Sequence, residues 1–383
     1  MIEPRPYVGP QFRDAESGGR RRLPPRLGGR WSRLAALVFM VLAATGCASA
    51  PPDTTSLLEP DPEARVWPLP PDTPRYVYVG TLIGEQDFQR GPDTQGTVVR
   101  ALKWIAGLVV GEPEYIELQR PVSGMTGDDD RIYVVDAGHR AVLVFDMGRG
   151  RLMKWQSAAR GVPFVSPIGI APDGRGGVLV TDSELGEVFN LDSQGDPVGR
   201  IGKGILTRPT GIARDDSTGE IYVADTRAHD IKVFDGQGSL VELIGNRGAG
   251  SGAFNAPTHL AVSDGELYVA DTLNFRIHIF DTAGEERMMF GRLGLFIGNM
   301  TRPKGVAVGG DGRIYVVESY FDHLLVYDRG GRLLLPIGGT GRGVGQFYLP
   351  SGVWTDGAGR VYVADMFNGR IVIFKELAGR PTL

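Results

Sequence analysis

Six carboxylates close strand-like runs in this chain: Asp136, Asp182, Asp225, Asp271, Glu318 and Asp365. Oxygen ligands in such number could hold a hard cation. They recur, however, at intervals of 46, 43, 46, 47 and 47 residues, each ending the same phrase. A group repeated in every unit of an array serves what every unit shares. We expect these acids to accept hydrogen bonds from backbone N–H groups at strand ends. Histidine is the second type that could do chemistry. His139, His229 and His323 follow their acids at offsets of three, four and five. Such unequal offsets do not bring three imidazoles to one point. The chain has no Gly-x-Ser-x-Gly elbow, no His-Glu-x-x-His and no EF-hand loop. Its glycine-rich runs, Gly248–Gly252 and Gly338–Gly345, lack the Lys-Ser/Thr and the helix of a phosphate loop.

The elements that carry these residues form one repeated phrase. Ile221-Tyr-Val-Ala-Asp225 and Ile231-Lys-Val-Phe-Asp235 read as two half-buried strands around a tight polar turn. Pro209-Thr-Gly-Ile-Ala precedes them, as Pro167, Pro257, Pro303, Pro350 and, more loosely, Pro121 precede the others. Proline has no N–H to give a ladder, so it suits the first position of an innermost strand. A weaker run such as Leu240–Gly245 or Leu333–Gly338 supplies a fourth strand. Four antiparallel strands repeated at a period in the forties predict propeller blades. The last repeat ends at Phe374 with three strands, and a spare strand begins at Tyr76. The expected fold is therefore all-β: a six-bladed β-propeller over 75–377, closed by an N-terminal latch strand at 75–83.

Pro-x-Gly-Ile-Ala, Tyr-Val-Ala-Asp, Arg-Ile-x-x-Phe and Gly-x-Gly-x-x-Gln-Phe (Gly341–Phe347) make the chain resemble the NHL-repeat β-propellers. The resemblance covers about residues 75–376. It implies binding through loops on one face of the ring. Chain reversal puts the turns after the six acids and the lead-ins to the inner strands on that shared face. Candidate contacts there are His139, Arg140, Arg227, His229, Asp230, His259, Asn274, Phe275, Phe321, Asp322, His323, Phe367 and Asn368. Some relatives are zinc lyases, and zinc takes three or four protein ligands. Only His259 stands at the channel position here; its equivalents are Gly169, Gly211, Gly305 and Gly352. A lyase or lactonase with a channel-bound metal ion is the alternative function. The leading expectation is a binding or scaffold module with no cofactor, no metal and no catalytic residue.

The remaining segments bear on location. Residues 1–33 hold eight Arg and three acids, and 34–45 are apolar but too short to span a bilayer. Residues 1–46 read as a secretory signal. Cys47, the single cysteine, follows Ala44-Thr-Gly and resembles the acylated residue of bacterial lipoproteins. Residues 47–74, rich in Pro and Asp, are expected to be a disordered tether. Ala48 after the cysteine, by the same resemblance, favours the outer membrane, facing the periplasm. Beyond residue 46 the chain has 33 Lys and Arg against 42 Asp and Glu, a net charge near −9. That balance argues against a nucleic-acid partner and leaves envelope proteins or other extracytoplasmic ligands. An insertion at 89–120 interrupts the repeat. Val98, Leu102, Ile105, Leu108 and Val109 predict a helix over about 97–110 within it.

Overall fold

The computed structural model describes residues 55–89 and 115–377. The expected signal segment, Cys47 and the expected helix over 97–110 lie outside the described residues.

Six antiparallel sheets form the blades. Blade one holds Pro121–Thr126, Arg131–Asp136, Ala141–Asp146 and Arg151–Trp155, from inner strand to outer. Blades two to five repeat this order, starting at Pro167, Pro209, Pro257 and Pro303. Blade six holds Val353–Thr355, Arg360–Asp365 and Arg370–Glu376. Its fourth place is filled by Tyr76–Leu82, paired antiparallel with Arg370–Glu376 from Tyr76↔Glu376 to Leu82↔Ile371. In blades one to five the leading proline lies opposite the terminal acid, as in Pro209↔Asp225 and Pro303↔Glu318. The missing proline N–H therefore falls where the acid's side chain takes over the neighbouring backbone donors.

The half-buried character expected of the middle strands gives way to burial on both faces. Every residue of Arg131–Asp136, Ala141–Asp146, Val178–Asp182 and Ile221–Asp225 is buried. The reason is stacking: each blade lies face to face with the next. Six apolar clusters, one for each neighbouring pair, run round the ring. One of them joins blade six to blade one through Leu82, Leu143, Tyr362 and Ile371. Fully burying one such side chain contributes roughly 1.5–3 kcal/mol, so closure stabilises two blade faces that an open array would leave wet.

Two local features matter for the axis. Gly211 has the His259 Cα 2.6 Å from where its Cβ would stand, and Gly352 has the Val122 carbonyl oxygen at the same distance. Inner strands of adjacent blades therefore touch, and glycine permits the approach. Ser123 and His259 stand at the equivalent places in blades one and four. The second feature concerns the expected tether. Its described part, 55–74, packs on blade six. Val66–Trp67 adds a fifth strand beside Tyr76 and Val77. Trp67 is buried edge-on against Phe374, and Leu57 and Leu58 cover the cluster between blades six and one. The Pro and Asp around them set the average composition, but these three apolar side chains decide the packing.

Candidate functional site: the mouth of the central channel

The six acids fix the loops around the mouth. All are at most 1% exposed. Asp136 accepts from the Gln119, Arg120 and His139 N–H groups. Asp182 takes the Val165, Ser166, Glu184 and Leu185 N–H groups, and Glu318 takes those of Thr301, Arg302 and Phe321. Asp225 accepts from the Thr207 N–H at 2.7 Å, the Arg208 N–H at 2.8 Å and Lys232 Nζ at 3.0 Å. Asp271 takes the Asn255 N–H and Arg276 Nε, and Asp365 the Tyr348 N–H and Arg370 Nε. Each carboxylate thus ties the lead-in before a proline to its own blade, which is the backbone-capping role expected of the repeat. Burial alone would raise the Asp225 carboxyl, but the hydrogen bonds from Thr207, Arg208 and Lys232 outweigh it and hold it below its ordinary value. At Asp365 burial wins, and the carboxyl is raised despite Tyr348, Asn368 and Arg370.

Hydroxyls one residue past the acids tie blade to blade. Thr226 donates to the Pro257 carbonyl at 2.7 Å, and Thr272 to the Pro303 carbonyl at 2.8 Å. Both contact a further hydroxyl, Thr210 at 2.6 Å and Thr258 at 2.7 Å respectively.

Inside this frame lies a cavity of about 640 Å³. Val122, Ile168, Thr210, Thr258, Lys304 and Ser351, one from each blade, line it. Each is the residue directly after the leading proline. Arg208, Thr226, Arg227 and His259 complete its polar lining, and no carboxylate lines it. Both ring nitrogens of His259 are closed to solvent. They come near the Val122 backbone of blade one, the blade across the ring, without a well-formed hydrogen bond. Burial, with the Lys304 ammonium adding to it, pushes the imidazole down to about 3, so it is neutral at physiological pH. Lys304 is held below the usual lysine range by burial and then by the Arg302 and Arg208 guanidiniums. Among the described residues, no hydrogen bond or ion pair occupies the side chains of Arg208, Arg227, Arg302 or Lys304. One neutral histidine beside three cations does not fit a divalent metal, which takes several carboxylate or imidazole ligands. No three His, Cys, Asp or Glu side chains among the described residues gather to hold one.

The face residues singled out in the sequence divide into groups. Arg227 and His259 line the cavity. Asp230, Asn274, Asp322 and Asn368 hold the scaffold: Asp230 pairs with Lys232 at 2.6 Å, and Asp322 accepts from Thr340 and the Leu349 N–H. Asn274 bonds Asp271, and Asn368 bonds Asp365. His229 accepts from the Ala256 N–H, while His139 bridges the Glu117 carbonyl and Lys154. Arg140 and Phe275 are turn residues with φ of 50° and 60°. Phe321 and His323 border a small cleft beside Leu295, Phe296 and Ile297, and Phe367 stacks edge-on with Tyr348. Sequence reading missed Arg208, Lys304 and the ring of post-proline residues. The signal was present in the position after each proline, where Val, Ile, Thr, Thr, Lys and Ser share a place without sharing chemistry.

Residues 206–234 and 254–280 match the NHL repeat model. Among solved structures, the virginiamycin B lyase from Staphylococcus aureus is 12% identical, with a TM-score of 0.52 over 68% of this chain and 96% of that one. An auxiliary nutrient binding protein from Bacteroides thetaiotaomicron is 13% identical, with a TM-score of 0.53 over 68% of this chain and 69% of that one. A gluconolactonase from Xanthomonas campestris is 17% identical, with a TM-score of 0.52 over 68% and 88%. At such identities the likeness is one of fold. Two of this chain's repeats thus match the NHL repeat model, and its six repeats close into a six-bladed β-propeller.

Proposed function

We propose that this protein is a lipid-anchored binding module of the cell envelope, taking its ligand or partner at the channel-mouth face. One observation carries the reading: all six blades contribute a residue to a single cavity there. Loops on a rigid scaffold commonly bind, and a cavity of roughly 300–1,000 Å³ suits a small ligand. The nutrient-binding fold neighbour is in keeping with this use of the architecture. The lyase and gluconolactonase neighbours keep the enzyme alternative open. A metal-dependent catalytic reading needs a ligand set, and the cavity lining supplies one imidazole, His259, and no carboxylate. The anchor rests on Cys47 behind its apolar leader.

Two experiments test this. A photoreactive residue replacing Arg227, at the mouth, should cross-link an envelope component in cells. The same residue replacing Gln237, in the exposed turn at the other end of blade three, should not. Equal cross-linking from both positions sinks the assignment of the face. For the anchor, Cys47→Ser should abolish labelling by an alkyne fatty acid and release the protein from membranes. A labelled, membrane-bound C47S protein would remove the anchor.

A further inference from the structure

We propose that the channel mouth is an anion site, seating a carboxylate or phosphate group of a small ligand between Lys304, Arg208 and Arg227. The inference rests on the reading of this face as the binding face and names the chemistry it selects.

Beyond residue 46 the chain is acidic, near −9, yet the cavity on its axis is lined by three cations and no carboxylate. Arg302, directly before Pro303, adds a fourth positive group within reach of Lys304. The carboxylates behind the mouth, Asp225, Asp271 and Glu318, are engaged by backbone N–H groups of the lead-ins, and Asp225 also by Lys232. Like charges gathered in a partly dry cleft repel and cost stability. The same arrangement focuses field lines and concentrates an ion of opposite sign. Arginine offers a planar fork for carboxylate or phosphate and lysine a point charge, so together they suit either oxyanion.

The threonine hydroxyls around the mouth are engaged with backbone carbonyls and with one another, so they hold the strands apart at a fixed width. The cations have no such partner among the described residues. His259 adds a neutral ring to the same lining. Val122, Ile168 and Met366 give the cavity an apolar side, so the ligand carries a hydrocarbon part beside its anionic end.

The pH dependence has a definite sign. The charged groups acting on Lys304 are Arg302 and Arg208, with Arg227 and the neutral His259 in the same lining. Burial, and then the Arg302 and Arg208 guanidiniums, depress the lysine pKa in the free protein. A bound anion favours the ammonium and raises that pKa. Affinity should therefore be full below the depressed pKa of the free protein and fall as pH rises through it.

Isothermal titration of the full-length chain in detergent, in low-chloride buffer, tests the proposal. The probes are citrate and inorganic phosphate, in separate arms that distinguish carboxylate from phosphate, with glycerol as the uncharged control. Saturable binding of either anion is expected, weakened at least tenfold by Lys304→Met or Arg208→Met and unchanged by Lys203→Met. Lys203 is an exposed cation on the loop leading to blade three, outside the cavity. Without anion, K304M should melt at or above the wild-type temperature, because a like charge has been removed. Binding of neither anion, equal binding by K304M, or a K304M protein that melts well below wild type would each overturn the proposal. Should neither anion bind while the Arg227-positioned cross-link persists, the charge chemistry falls and the binding face stands.

Discussion

At the residue scale, the buried polar groups do structural work that a surface reading misassigns. Lys232 lies between Asp225 at 3.0 Å and Asp230 at 2.6 Å and is nearly inaccessible. Removing one partner of such a group leaves uncompensated charge, at a cost of about 3–5 kcal/mol. Lys232→Met should lower stability by that order in urea unfolding, with an unchanged slope on denaturant. The Asp225 carboxyl, held below its ordinary value, gives a pH signature. Its contribution is complete above the unfolded carboxylate pKa of roughly 3.9 and is lost as pH falls through the lower folded value. Asp225→Asn should therefore reduce stability at neutral pH and flatten the acid limb of the curve. Gly211 makes a steric prediction. A methyl there meets the backbone of His259 and Thr258, so Gly211→Ala should destabilise by about 1–3 kcal/mol and leave Gly250→Ala, where nothing lies within 4 Å, comparatively mild.

At the element scale, the strand Tyr76–Leu82 decides whether the ring is closed. It is bonded along Arg370–Glu376, and Tyr76 reaches blade five through its hydroxyl, 3.1 Å from that of Tyr315. Phe374 gathers Trp67, Tyr78 and Phe347 around one buried ring. Phe374→Ala should cost about 3–5 kcal/mol, read as a lower thermal midpoint. A chain lacking residues 55–83 should lose cooperative unfolding altogether and bind a hydrophobic dye, since blade six would expose an edge and an apolar face. A sharp single transition in that truncated chain would show that the ring does not depend on its clasp. The clasp was legible because the last repeat lacks a strand and the first segment has one to spare. Val66–Trp67 was not, because two residues among prolines carry no periodicity.

At the scale of the whole molecule, the sequence by itself determined the architecture. Six phrases each hold a leading proline, a terminal acid and two apolar strands. Proline lacks a donor and the acid accepts several, so their pairing follows from local chemistry, and it appears as register in five blades. The period fixes which residues are equivalent. It does not say which of them point at the axis, how close the inner strands come, or which charges meet there. Arg208, Arg227, His259 and Lys304 come from three successive blades and share no motif. Their meeting is a product of closure, because only a ring of fixed radius brings positions far apart in the chain within reach of one ligand. The same closure hides the middle strands on both faces and turns Asp230, Asn274, Asp322 and Asn368 from contact candidates into supports. Local chemistry wrote the blades; the radius of the ring chose the lining of the mouth.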